Sequence, residues 1–155
     1  MRYFLILISA VVLTCTGCFK NDEGCTPVLP SAEESSIQAY VSSNGINAIK
    51  HSSGMYYEVV NPGSGMSPTT SSRIFITYTG KLLNGTQFDQ ATNPASTGWT
   101  LGGLIDGWQI GLPLLKEGGK IRLIIPSSLA YGCNGAGTIP PNSILFFEVD
   151  LIDVQ

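Results

Sequence analysis

Eight residues of this chain have the side-chain types to build one binding cavity: Tyr78, Phe88, Asp89, Trp99, Trp108, Tyr131, Ile139 and Phe147. Aromatic rings supply broad apolar surface with a few polar handles. A cavity made from them would take an apolar ligand and orient it through a carboxylate and phenol hydroxyls. Groups for covalent chemistry do not stand at working spacing. His51 is the sole histidine and lies in a Ser/Gly-rich connection with no cysteine or carboxylate at ligand spacing, so no metal site is expected. Cys133 has no base near it in sequence to make it a nucleophile. No serine sits in a Gly-x-Ser-x-Gly turn, and Gly102-Gly103 fits neither the phosphate-loop nor the dinucleotide pattern. Acid–base and covalent chemistry therefore find no obvious constellation, and no cofactor is expected.

The elements that must position these groups can be read from patterning. Trp99 to Leu115 is nearly all apolar, with Leu101, Leu104, Ile105, Ile110, Leu112 and Leu115 around Trp108, and Pro113 ends any helix soon after it starts. A helix apolar on every side must be enclosed. Strand-like runs flank it. Met55 to Val60 is aromatic and β-branched; Arg73 to Thr79 alternates with Ile74, Ile76 and Tyr78 on one face; Asn84-Gly85 signals a hairpin turn. Lys120 to Ile125 puts Ile121, Leu123 and Ile125 on one side. Leu145, Phe147, Val149 and Leu151 share a face opposite Glu148 and Asp150. Half-polar strands imply an antiparallel sheet with one solvated face. The other face is where the Trp108 helix belongs.

Composition narrows the partners. With 12% charged residues, a net charge of -3 and no Lys/Arg run, nothing attracts a phosphate backbone, and nucleic acid is excluded as an expected partner. The 18 glycines and 9 prolines suit short strands joined by turns. The length suits one domain with appendages.

The appendages are N-terminal. Arg2 and the apolar run Tyr3 to Leu13 form a signal-peptide core too short to span a bilayer, which takes about 20 residues. Residues 1–17 are therefore expected to be an export signal. Its end, Leu13-Thr14-Cys15-Thr16-Gly17-Cys18, resembles the bacterial lipobox, which implies acylation of Cys18, with Cys15 as the alternative. Residues 18–30 read as a solvated tether. Ser31-Ala32-Glu33-Glu34 has the form of a capping box, with Ser31 as N-cap, and opens a helical extension over 31–50 whose helix stops at Asn44-Gly45. Ile37, Tyr40 and Val41 would pack on the domain's flank or serve as a dimerisation or client-holding arm. Cys25 and Cys133 could pair in an exported protein, but Cys25 lies in the tether, and the sequence leaves their pairing open.

Taken together the motifs match a family. Thr77-Tyr78-Thr79-Gly80, Asn84-Gly85-Thr86-Gln87-Phe88-Asp89, Leu104-Ile105-Asp106-Gly107-Trp108, Ala130-Tyr131-Gly132, Ile139-Pro140-Pro141-Asn142-Ser143 and Phe147-Glu148-Val149 resemble, in order and approximate spacing, the FKBP-type peptidyl-prolyl cis-trans isomerases, in their bacterial lipoprotein form. The resemblance implies an α+β fold over 51–155, a twisted antiparallel β-sheet wrapped around a short central helix, here with an added N-terminal helix. It implies an isomerase of Xaa-Pro bonds in exported or unfolded proteins, acting without covalent intermediates and binding proline-containing polypeptides and the family's macrolide inhibitors. The lipid anchor would place it in the cell envelope on a bacterial membrane, the outer one expected, on its periplasmic or surface face.

The resemblance also assigns roles. Trp108 would be the cavity floor, with Tyr78, Phe88 and Phe147 as walls and Ile139 at the mouth. Trp99 and Leu104 would add substrate-binding surface, Trp99 standing where a phenylalanine is usual. Tyr131 would be a hydroxyl donor on the flap, Asp89 the rim carboxylate and the Ile105 amide a donor to the peptide carbonyl. Members often carry an arginine after the Phe-Asp pair, which Gln90-Ala91-Thr92-Asn93-Pro94 lacks. That departure and Trp99 motivate a rival reading, a chaperone-like or adhesive binding module that keeps the pocket and turns over poorly.

Overall fold

A computed structural model of the chain describes residues 24–155. The expected signal peptide, Cys15, Cys18 and the first part of the tether lie outside the described residues.

Among the described residues seven strands form one antiparallel sheet: β1 (Ile49–Lys50), β2 (Tyr56–Asn61), β3 (Arg73–Leu82), β4 (Gln87–Ala91), β5 (Trp99–Thr100), β6 (Lys120–Ile125) and β7 (Leu145–Val154). Their order is β1-β2-β6-β7-β3-β4, with β5 pairing the start of β3. β7 lies between β6 and β3, so its alternate residues Leu145, Val149 and Leu151 are fully buried and Phe147 nearly so. The Asn84-Gly85 turn joins β3 to β4 as expected. Gly85 takes φ +88°, and the Asn84 carboxamide accepts the Thr86 N–H at 2.9 Å.

The inner face of the sheet holds the short helix α2 (Asp106–Gly111), followed at once by a 3-10 turn containing Pro113. Gly107 and Gly111 face β6. A Cβ on either would fall 2.5 Å from an Ile125 methyl or 2.6 Å from a Leu123 methyl, so the two glycines let the helix lie against the strand. That close seating carries Trp108 into the core formed by Ile74, Ile76, Leu123 and Phe147.

The outer face is only half solvated. Across β2, β6 and β7, Arg122 bridges Glu58 (3.1 Å) and Glu148 (2.9 Å), and Lys120 meets Asp150 at 3.2 Å. Such partly exposed pairs, screened by nearby solvent, stabilise by about 0 to 1 kcal/mol each and help fix register. The rest of that face, Tyr56, Ile124 and Phe146, lies beneath helix α1 (Pro30–Ser43), whose Ile37 is fully buried and whose Tyr40 ring packs 5.4 Å from Phe146. The flank-packing reading of the α1 stripe accounts for this contact.

Two expectations at the N-terminus are corrected. The capping box does not form: the helix begins at Pro30, its N-cap is Leu29, and no side chain caps it. Proline suits the first turn, where its missing N–H would have no helical partner. The acidic pair is drawn elsewhere, Glu33 to the Ser127 N–H and Glu34 to Lys50 and the Tyr56 hydroxyl. The end of the tether is not free either, because Cys25 is disulfide-bonded to Cys133, with a Cα separation of 5.3 Å.

Candidate active site

An open cavity of about 650 Å³ lies between α2, the β4 edge and the loop after β6. Among the described residues no group of histidine, cysteine or carboxylate side chains is placed to hold a metal ion. Trp108 forms the floor, with 4% of its surface exposed. Its ring meets Tyr78 and Phe147 edge-to-face, each with centroids 5.1 Å apart, and Phe88 stands edge-on to Phe147 at 5.5 Å. Edge-to-face packing is the favoured geometry for such rings. The indole Nε1 is buried and has no hydrogen-bond partner among the described residues.

Polar groups sit at the rim. The Tyr78 hydroxyl donates to Asp89 Oδ2 at 2.7 Å, and the Gln90 N–H donates to Asp89 Oδ1 at 2.8 Å. The carboxylate is thus oriented without the arginine that the family pattern often supplies. Burial, then the hydrogen bond and charge of Asp89, push the Tyr78 phenol well above its ordinary range. Burial and then Asp89 also raise Tyr131. Both phenols stay protonated at neutral and mildly alkaline pH. Tyr131 is 39% exposed and its hydroxyl makes no hydrogen bond among the described residues, so it is a donor free for a ligand. Ile105 immediately precedes α2 and its carbonyl accepts from the Trp108 and Gln109 N–H groups. Leu104 lies beside it and holds Gln109 through its carbonyl at 2.7 Å.

The structure therefore brings Tyr78, Phe88, Asp89, Trp99, Leu104, Ile105, Trp108, Tyr131 and Phe147 to one cavity wall. Ile139 is placed differently. It is 8% exposed, belongs to the core cluster and pairs with Ala136 in a small bridge, and it does not line the cavity. Sequence reasoning missed Gly98, Thr100 and Gly103, which line the wall, and the role of Gly80. A Cβ at Gly80 would fall 2.7 Å from the Phe88 ring and 2.8 Å from the Phe147 ring, so its bare backbone lets both walls lie close over β3. A lone glycine inside an alternating strand is the signal that could have revealed it. Thr97 was also missed. Its buried hydroxyl accepts the Ile76 N–H at 2.9 Å and lies 2.7 Å from the Pro94 carbonyl, fixing the turn that leads into Trp99.

An arrangement of this kind can enclose a short apolar segment, strip its water and offer one or two donors. A family model described as FKBP-type peptidyl-prolyl cis-trans isomerase matches residues 65–152. The chain is 45% identical over 105 residues to the FKBP-type peptidyl-prolyl cis-trans isomerase FkpA of Escherichia coli (strain K12), covering 67% of this chain and 39% of that protein. It is 42% identical over 114 residues to the FKBP-type 22 kDa peptidyl-prolyl cis-trans isomerase of the same organism, covering 71% and 53%. The chain thus spans about two-fifths to half the length of these relatives. Among solved structures, the crystal structure of FkpA from Escherichia coli superposes with a TM-score of 0.69 at 37% identity, over 81% of this chain and 61% of that one. The peptidyl-prolyl cis-trans isomerase from Pseudomonas syringae pv. tomato superposes with a TM-score of 0.69 at 32% identity, over 84% and 98%.

Proposed function

Because the chain belongs to the FKBP-type peptidyl-prolyl cis-trans isomerase family, we propose that it catalyses rotation about Xaa-Pro bonds in the cavity floored by Trp108. The observation that carries this reading is the apolar cup itself, with Trp108 at the base and the Tyr78–Asp89 pair at the rim.

Rotation about a peptide bond crosses about 18 to 20 kcal/mol because resonance gives the C–N bond double-bond character. At an Xaa-Pro bond it takes tens of seconds or longer. The planar amide is the charge-separated form that water stabilises, and the twisted amide has lost that separation. An apolar cavity therefore penalises the planar state more than the twisted one, which is differential stabilisation without any bond forming or breaking. The prolyl ring lies on the Trp108 face, between Phe88 and Phe147, while Trp99 and Leu104 cover its flank. The Ile105 N–H holds the peptide carbonyl, and the Tyr131 hydroxyl donates from the flap. Asp89, held by Tyr78, marks the polar edge across which the rotating carbonyl passes. A barrier lowered by about 4 kcal/mol gives roughly a thousandfold acceleration.

The purified chain is expected to speed cis-to-trans relaxation of a short Xaa-Pro peptide, followed by a spectroscopic change on trans-selective cleavage. Relaxation at the buffer rate would refute the reading. A macrolide of the family's inhibitor type is expected to bind the same cavity and abolish the acceleration. Tight binding with no acceleration to abolish would favour the binding module instead.

The Cys25–Cys133 bond supports an oxidising, exported setting, since disulfides persist outside the reducing cytosol. On this reading the chain works in the cell envelope on newly exported proteins, anchored through Cys18. No helix among the described residues is long and apolar enough to cross a membrane. Acylation supplies the anchor, two or more chains holding where one does not. Labelling with radioactive palmitate is expected to mark the chain and to be lost in Cys18→Ala. Label retained in that variant would move the anchor to Cys15 or elsewhere.

A further inference from the structure

Tyr131 stands on a segment whose two ends are both held by parts of the chain that lie before the family match. Ser127 opens the segment with a 3-10 turn, Ser127–Leu129, and its buried N–H donates to the Glu33 carboxylate of α1 at 2.8 Å. A second turn, Gly132–Asn134, closes it with Cys133, which is bonded to Cys25. Tyr131 lies between, two residues from the crosslink.

The N-terminal segment is itself firmly seated. Ile37 is fully buried on the outer face of the sheet, and Pro30 packs so closely on Gly54 that a Cβ there would fall 2.5 Å from the proline ring. Glu33 is only 7% exposed. A carboxylate is costly to bury without partners, and the hydrogen bond Glu33 makes goes to the N–H that starts the Tyr131 segment. The Tyr131 hydroxyl has no hydrogen bond of its own among the described residues, so no partner side chain places it and the backbone that carries the ring limits where it can reach. Inside the segment, that backbone is steadied by Ala130 N–H to Ser127 carbonyl (3.0 Å) and Asn142 N–H to Gly132 carbonyl (2.8 Å).

We propose that Glu33 and the Cys25–Cys133 crosslink are positioning residues for Tyr131: the N-terminal segment clamps both ends of the Tyr131 loop and so sets the donor on the flap. The effect on catalysis rests on the isomerase reading of the cavity. The clamp itself does not.

The test uses the full chain with Cys25→Ser/Cys133→Ser, Glu33→Ala and Glu33→Gln, each made in the parent and in Tyr131→Ala. In the parent, the serine pair and Glu33→Ala are expected to lower kcat/KM about tenfold, short of the roughly hundredfold that a 1 Å misplacement can cost. In the Tyr131→Ala background the same changes are expected to have almost no effect, because coupled residues are not additive. Glu33→Gln keeps an oxygen that can accept the Ser127 N–H and should restore parental turnover. Equal losses in both backgrounds, or Glu33→Gln as damaging as Glu33→Ala, would overturn the proposal. If the serine pair does not fold, the Glu33 series decides alone. Amide hydrogen exchange gives a readout independent of activity: it should quicken from Ser127 to Asn134 in the damaging variants and stay unchanged in β7. An inactive parent refutes the isomerase reading, while unchanged exchange in that segment refutes the clamp.

Discussion

Trp108→Ala is expected to lower kcat/KM for an Xaa-Pro peptide about hundredfold and to destabilise the fold by about 3 to 5 kcal/mol, the range for removing a buried large aromatic. The indole is the face on which the prolyl ring is proposed to rest, and it supports Tyr78 and Phe147 through edge-to-face contacts at 5.1 Å. Its loss opens the floor to water and lets both walls tilt, so the cavity becomes wetter and less defined at once. A domain with about 5 to 15 kcal/mol of stability keeps a folded fraction after such a loss, from about half at the lower limit to nearly all above it, and activity is normalised to that fraction. Trp108→Phe keeps an apolar floor and should be milder in both respects. Peptide relaxation kinetics and urea midpoints on the same samples separate the two effects. Parental kcat/KM in folded Trp108→Ala would show that the floor is misassigned.

Tyr78→Phe is expected to cost about tenfold in kcat/KM, because the rim carboxylate loses one of its two fixed contacts and shifts, and a 1 Å misplacement can cost roughly hundredfold. The smaller loss applies because Asp89 keeps its second contact, to the Gln90 N–H. The change removes the 2.7 Å bond to Asp89 Oδ2 and leaves the carboxylate oriented by the Gln90 N–H alone. It also carries a pH signature. The phenol's folded value is raised above its unfolded value, first by burial and then by Asp89. The stability this contributes is fully present below the unfolded value of about 10 and is lost as pH rises toward the folded value. Urea midpoints of the parent should therefore hold level from neutral to mildly alkaline pH and fall above about pH 10, with a shallower fall in Tyr78→Phe. Identical alkaline profiles for parent and variant would contradict the assignment.

Much of the fold was legible because burial on one face writes a period of two into a strand. Ile74, Ile76 and Tyr78, then Ile121, Leu123 and Ile125, then Leu145, Phe147, Val149 and Leu151 all face the core as their alternation requires. Outward residues were harder to read. Ile124 and Phe146 break the polar face of their strands, and only the packing of α1 explains them. The Ser31 capping box failed because local pattern was outweighed by tertiary partners: Glu33 and Glu34 found Ser127, Lys50 and Tyr56, residues far off in sequence. The Cys25–Cys133 pairing, 108 residues apart, was left open since spacing alone carries no information about so distant a bond. Within the site, the aromatic members announced themselves by type. Gly80, Gly98 and Gly103 did not, because a glycine contributes by what it leaves out. Ile139 shows the opposite limit, a motif position that packs into the core instead of lining the cavity.

The central claim is that the cup speeds rotation by withholding water from a planar amide, with no proton transferred in the step that limits the rate. Measuring kcat/KM for an Xaa-Pro peptide in light and heavy water tests it directly. The account predicts a ratio near one, after allowance for viscosity. A ratio of about two or more would signal general acid–base catalysis in that step and would contradict the account.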